Sequence, residues 1–193
     1  YVAGIIEDLS GKTISTEIIR VENIFTIGSQ LLSKYSIICF SAMTMDESAL
    51  ARAFNYWKSK SKRKKNLTII GGPIIQDHSI IQRINIDFAV LGQAESTLIA
   101  LFKDNLGKLM NIFNLYDKNE FESQKKELIK YLPNIIYINS GKIKKTPILH
   151  NFQNQDYLFK NSTGYPQKIH AYENYENSRI YVELVRGCSN FRR

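Results

Sequence analysis

The chain has 193 residues, 44% of them hydrophobic and 23% charged, with a formal net charge of +8. These values are ordinary for a globular protein of one domain, or one domain and part of another. No apolar run approaches the roughly 20 residues that a membrane-spanning helix needs, and the first residues lack the layout of a signal peptide. Two cysteines, Cys39 and Cys188, give no disulfide framework, so a reducing cytoplasm is the expected compartment. The chain runs from Tyr1 to Arg193, and both ends read as cuts through a longer protein.

Val2, Ile5, Ile6 and Leu9 share one helix face, with Gly11 placed as its C-terminal cap. Ser15 to Val21 alternates as a strand. Ser36 to Ser41 is a short apolar run that predicts a strand buried on both faces, with Cys39 as a small buried hydrophobe. Met45 to Ser59 predicts a helix whose stripe is Leu50, Ala53, Phe54 and Trp57, with Asp46 and Glu47 at its start and lysines at its end. Asn66 to Ile70 predicts a second buried strand, closed by Gly71-Gly72-Pro73, and Gln76 to Ile84 a short helix. Asp87 to Leu91 predicts a third buried strand, closed by Gly92. Helical patterns follow over 94–102, onward through Phe113, and over 120–131. Buried strands alternating with amphipathic helices predict a doubly wound, mostly parallel α/β sheet of flavodoxin-like or Rossmann-like type.

Beyond Pro133 the pattern changes. Residues 134–139 and 142–146, joined by Ser140-Gly141, predict a β-hairpin. Residues 147–178 read as a polar, aromatic linker, and 179–185 as a strand running into Arg186-Gly187-Cys188. The expected division is therefore an α/β domain over 1–132, hairpin and linker over 133–178, and the start of a further domain over 179–193. Much of the positive charge lies in the run from Lys58 to Lys65, read as the solvated end of a helix. The charge also leaves nucleic acid open as a partner.

In an open parallel sheet, ligands sit beyond the carboxyl ends of the strands. Three such ends are readable: Ser41-Ala42-Met43-Thr44, Gly71-Gly72-Pro73 and Gly92-Gln93-Ala94-Glu95. Glycines let backbone approach a bulky, flat ligand, and helix N-termini hold polar groups. No Gly-x-Gly-x-x-Gly and no Walker lysine accompany them, so the usual nucleotide signals are missing.

The series 36–44, 67–73 and 87–98 resembles the cobalamin-binding domain of radical S-adenosylmethionine (SAM) proteins. In that family a Ser-x-x-Thr-like loop, a Gly-Gly-Pro turn and an Asp-x-x-Val-x-Gly-x-x-Glu segment follow one another. Here the last reads Asp87 to Glu95, with Gln93 where the family often has glutamate. Leu132 to Tyr137 and Gly141-Lys142 resemble the family's hairpin, and Glu183 to Cys188 resembles the start of its iron–sulfur domain. The resemblance implies cobalamin held by Ser41, Met43, Thr44, Gly71, Gly72, Pro73, Gly92, Gln93 and Glu95. It implies Cys188 as the first ligand of a [4Fe–4S] cluster, and SAM as a cofactor of the intact protein. It implies a methyltransferase acting on an unidentified substrate.

Two departures stand out. The usual Cys-x-x-x-Cys-x-x-Cys is broken, because Arg192 stands four residues after Cys188. One thiolate cannot hold a cluster, so further ligands would have to follow Arg193. No Asp-x-His-x-x-Gly is present, and His78, His150 and His170 stand in other contexts. The first strand and its loop are expected upstream of Tyr1. Two alternatives remain at this point: a radical SAM protein whose α/β domain has lost cobalamin, with Met43 and Gln93 crowding the crevice, and a basic module associated with nucleic acid.

Overall fold

The computed structural model describes residues 2–149 and 168–169. At its centre is a five-stranded sheet in the order β2 (Ile37–Ser41), β3 (Leu67–Gly71), β4 (Phe88–Val90), β5 (Ile135–Asn139) and β6 (Lys142–Lys145). β2, β3 and β4 are parallel, whereas β5 and β6 run antiparallel to their neighbours. The fold is a mixed, mostly parallel α/β sheet of Rossmann-like type, as the sequence predicts.

Strand periodicity of two sends alternate side chains into two cores. Leu67, Ile69, Phe88, Val90 and Ile135 face α1 (Val2–Leu9), α5 (Glu95–Ile99), α6 (Leu106–Asn114) and α7 (Lys118–Lys130). Ile70, Ala89 and Ile136 face the other way, against α2 (Ser29–Leu32), α3 (Glu47–Lys60) and α4 (Ile80–Ile84). β3 and β4 are thus covered on both faces, which is why they read as continuous apolar runs. α3 follows its predicted stripe, with Leu50, Ala53, Phe54 and Trp57 all buried.

α1 ends as its sequence indicates. Gly11 has φ +58°, and the Lys12 N–H donates to Glu7 O at 2.8 Å. The Glu7 carboxylate, buried beneath the turn, accepts from Thr16 N–H at 2.8 Å and Thr16 Oγ1 at 2.7 Å. Past the turn, only Glu17–Ile18 of the predicted 15–21 strand is paired as a strand among the described residues. This segment, β1, pairs in parallel with β7 (Lys168–Ile169) in a separate two-stranded sheet, and a 3-10 turn occupies Val21–Thr26.

β2 corrects a second expectation. It is the sheet's edge rather than a doubly buried strand: none of its residues is buried, and Cys39 is exposed. Among the described residues, only one flank of its backbone ladder is occupied, by β3. The helix predicted over 76–84 is likewise shorter. A 3-10 turn covers Pro73–Gln76, and α4 begins at Ile80. The continuous helical pattern from 94 onward is interrupted by a π-turn at Ala100–Asp104 between α5 and α6.

The hairpin is as predicted, with Ser140 and Gly141 both at positive φ in its two-residue turn. It is built onto the sheet through β4–β5 pairing, so it belongs to the α/β unit. The basic run is only partly helical, because α3 stops at Lys60. Among the described residues, no helix is long and apolar enough to cross a membrane.

Candidate functional site

The register sets the three loops at one level. Ser41 pairs with Gly71, and Ile70 with Ala89, so β2, β3 and β4 end side by side. The first two loops are laced together through Ala42. Its N–H donates to Gly71 O at 3.2 Å, and its carbonyl accepts from Ile74 N–H at 3.3 Å. Gly72 makes this possible. It has φ +94°, and a Cβ there would lie 2.6 Å from Ala42 O. Gly72 is therefore a position where two backbones meet, a contact that any side chain would break.

Gly71 is different. A Cβ there would meet nothing within 4 Å, and the same holds at Gly92, whose φ is +63°. The space over the sheet edge is open. Ser41, Thr44, Pro73 and Gln93 are exposed around it. Met43 is 52% exposed and Met45 88% exposed, an unusual pair of large apolar side chains in water. Asp46 fixes their turn by accepting from Met43 N–H at 2.8 Å. Glu95 begins α5 and is buried at the same edge.

The structure therefore brings Ser41, Met43, Thr44, Gly71, Gly72 and Pro73 to one continuous rim, with Gly92, Gln93 and Glu95 at the end of the adjoining strand. Cys188, His150 and His170 lie outside the described residues. His78 is half-buried in the connection between β3 and α4. Among the described residues, no group of three or more His, Cys, Asp or Glu side chains could hold a metal ion.

Two supports of the rim were not legible in the sequence. Arg83, on α4, grips both loops. Its Nε and Nη2 donate to Glu47 at 2.7 and 2.9 Å, and Nη2 also reaches Asp77 at 2.8 Å. Hydrogen bonds from Ser79, and then from Arg83, push the Asp77 carboxyl down to about 2. A depressed carboxyl contributes to folding above its unfolded value of 3.8 and loses that contribution as pH falls through about 2. NMR titration of the Asp77 carboxyl carbon should give a midpoint near that lower value. A midpoint at the unfolded value would show the clamp absent in solution.

The second support is Asn134, buried and left-handed at φ +56°. Its carbonyl accepts from Leu91 N–H at 2.7 Å, holding the loop after β4. Its side chain accepts from Leu149 N–H at 2.5 Å and donates to Leu149 O at 3.2 Å. Asparagine tolerates this conformation better than most residues. Asn134→Ala should cost about 2–3 kcal/mol in urea unfolding, from two lost hydrogen bonds and backbone strain. A cost below about 0.5 kcal/mol would contradict this role.

Comparison with known proteins places the fold. No family model matches the chain. An uncharacterized protein of Methanocaldococcus jannaschii is 31% identical over 163 residues, 84% of this chain and 27% of the relative. One from Methanopyrus kandleri is 28% identical over 174 residues, 90% of this chain and 26% of the relative. The chain thus spans about a quarter of the length of these relatives. Two structures of the radical SAM methyltransferase TsrM from Kitasatospora setae share its fold. One, with tryptophan substrate and the SAM analogue aza-SAM bound, matches at TM-score 0.50 and 11% identity, over 76% of this chain and 27% of TsrM. The other, with cobalamin and a [4Fe–4S] cluster bound, matches at TM-score 0.51 and 10% identity, over 77% and 26%. At such identities the likeness is one of fold.

Proposed function

We propose that this chain is the corrinoid-binding module of a larger radical SAM enzyme, a methyltransferase. In this reading the α/β unit with its hairpin holds the corrinoid, and residues from about 179 open the iron–sulfur domain, with Cys188 the first cluster ligand. Among the described residues β2 is paired on one flank, which leaves its other flank open to one further parallel strand.

The observation that carries the reading is the open rim at Gly71. A corrin is broad and flat, so it needs backbone that nothing shields and apolar surface beside it. Gly71 and Gly92 offer the first, and Met43 and Met45 the second. Neither Met43 nor Gln93 fills the space that a Gly71 side chain would enter, which argues against the crowding expected of a module that has lost its ligand. The likeness of fold to a protein solved with cobalamin bound is additional support.

A bound corrinoid supplies methyl-group chemistry at its cobalt. The residues of this chain bind and orient. The exposed hydroxyls of Ser41 and Thr44 and the exposed backbone at Gly92 would face the polar rim of the ligand, and the methionines would cover its apolar face. Anaerobic titration of the 193-residue chain with hydroxocobalamin and with methylcobalamin, followed by visible absorption and calorimetry, tests this. Saturable micromolar binding is expected. A folded chain that binds neither at millimolar corrinoid overturns it.

A further inference from the structure

The edge of the sheet opposite the crevice carries a different chemistry. Lys34 precedes β2, and residues 61–66 precede β3, so both connections lie at the amino ends of the strands. They touch: Lys62 N–H donates to Ser33 Oγ at 2.9 Å. A third connection joins them, because Lys65 Nζ donates to Phe113 O at 3.4 Å and also to Leu115 O, the carbonyl end of α6. Beside Leu115 stands Tyr116, fully exposed.

Some of the cations here are used within the fold. Lys65 caps α6, Arg63 lies over the Phe113 ring at 6.0 Å, and Lys58 lies over Phe54 at 4.7 Å. Four others stay at the surface, Lys60 with its ammonium over the Tyr56 ring at 5.9 Å. Lys34, Lys60, Lys62 and Lys64 are exposed, and among the described residues none has a carboxylate within ion-pairing distance. The contrast with the crevice is clear, since Arg83 there is held by Glu47 and Asp77. From Lys58 to Asn66 there is not one acidic residue.

We infer that this edge binds the phosphate backbone of a single-stranded nucleic acid, with Tyr116 as a stacking platform for a base. Lysine is a mobile point charge, suited to phosphates rather than to reading base edges. An exposed tyrosine beside it supplies sequence-tolerant stacking. An acidic polypeptide would satisfy the charge but would leave Tyr116 without a role. The surface lies away from the corrinoid crevice, so the inference stands or falls independently of the function proposed above.

The test is fluorescence anisotropy of a labelled oligouridylate with the 193-residue chain across a salt series, with polyglutamate as competitor. Four phosphate contacts predict a log–log slope of about −3, a loss of about 50-fold between about 50 and about 200 mM salt. The combined variant K34Q/K60Q/K62Q/K64Q should flatten that slope toward zero. Tyr116→Ala should weaken binding by about fivefold or more with the slope unchanged. Absence of binding at low salt, an unchanged slope in the fourfold variant, or equal preference for polyglutamate would overturn the inference.

Discussion

Gly71→Leu should abolish corrinoid binding and leave the chain folded, whereas Gly72→Ala should damage the fold itself. The two glycines are adjacent, and the sequence does not distinguish them. At Gly71 the backbone is ordinary and an added Cβ would meet nothing within 4 Å, so a leucine is directed into the open space beyond the strand. Binding should fall by about 100-fold or more, because a branched side chain would hold the ligand off the backbone it must approach. At Gly72 the added Cβ meets backbone, Ala42 O at 2.6 Å, at a φ of +94°. Neither atom is the end of a flexible side chain, so the two loops must part, at about 2–4 kcal/mol. Paired titrations and thermal melts separate the outcomes. A Gly71→Leu variant that binds like the parent would show that the ligand sits elsewhere.

The second large effect belongs to the opposite edge. Lys125→Met should cost about 3 kcal/mol, and Asp87→Ala about 3–5 kcal/mol, in urea unfolding. Lys125 is only 6% exposed. Its Nζ reaches Asp87 at 2.8 Å, Glu122 at 2.9 Å and Asn66 O at 3.3 Å. The other oxygen of Asp87 accepts from Thr68 N–H at 2.7 Å and Thr68 Oγ1 at 2.8 Å, and Thr68 Oγ1 accepts from Asp87 N–H at 2.9 Å. Removing the aspartate strands the Thr68 N–H and leaves the buried ammonium to Glu122 and the Asn66 carbonyl, whereas removing the lysine leaves Asp87 with Thr68. The costs should therefore differ in that order, and neither change should alter corrinoid affinity. Costs below about 1 kcal/mol would mean that water replaces the network.

Asp87 also shows what the sequence could and could not convey. It stands in one motif with Gly92 and Glu95, and the motif reads as a unit. In the structure it divides: Asp87 locks β3 to β4 and α7 at the amino edge, while Gly92 and Glu95 lie at the carboxyl edge. β3 and β4 were legible because both faces are buried and a glycine closes each. β2 has a similar composition but, among the described residues, only one paired flank, and composition does not record how many neighbours a strand has. Cys39 was misassigned for the same reason. The π-turn was hidden because its residues keep the helical pattern on either side.

The rim loops were legible from glycine and position alone. Their supports were not. Arg83 reaches Glu47 across 36 positions, and Asn134 holds Leu91 from the far side of α5, α6 and α7. Such contacts exist only once the sheet has formed. For Asn134 the local cue was a Pro-Asn step before an apolar run, a common turn signal that does not say what the turn holds.

Hydrogen exchange of the 193-residue chain, with and without hydroxocobalamin, tests the central claim most directly. Bound corrinoid should slow exchange in peptides covering 41–46, 71–76 and 91–95 and leave the amino-edge segment 58–66 unchanged. Protection confined to other segments, or none at saturating corrinoid, would contradict it.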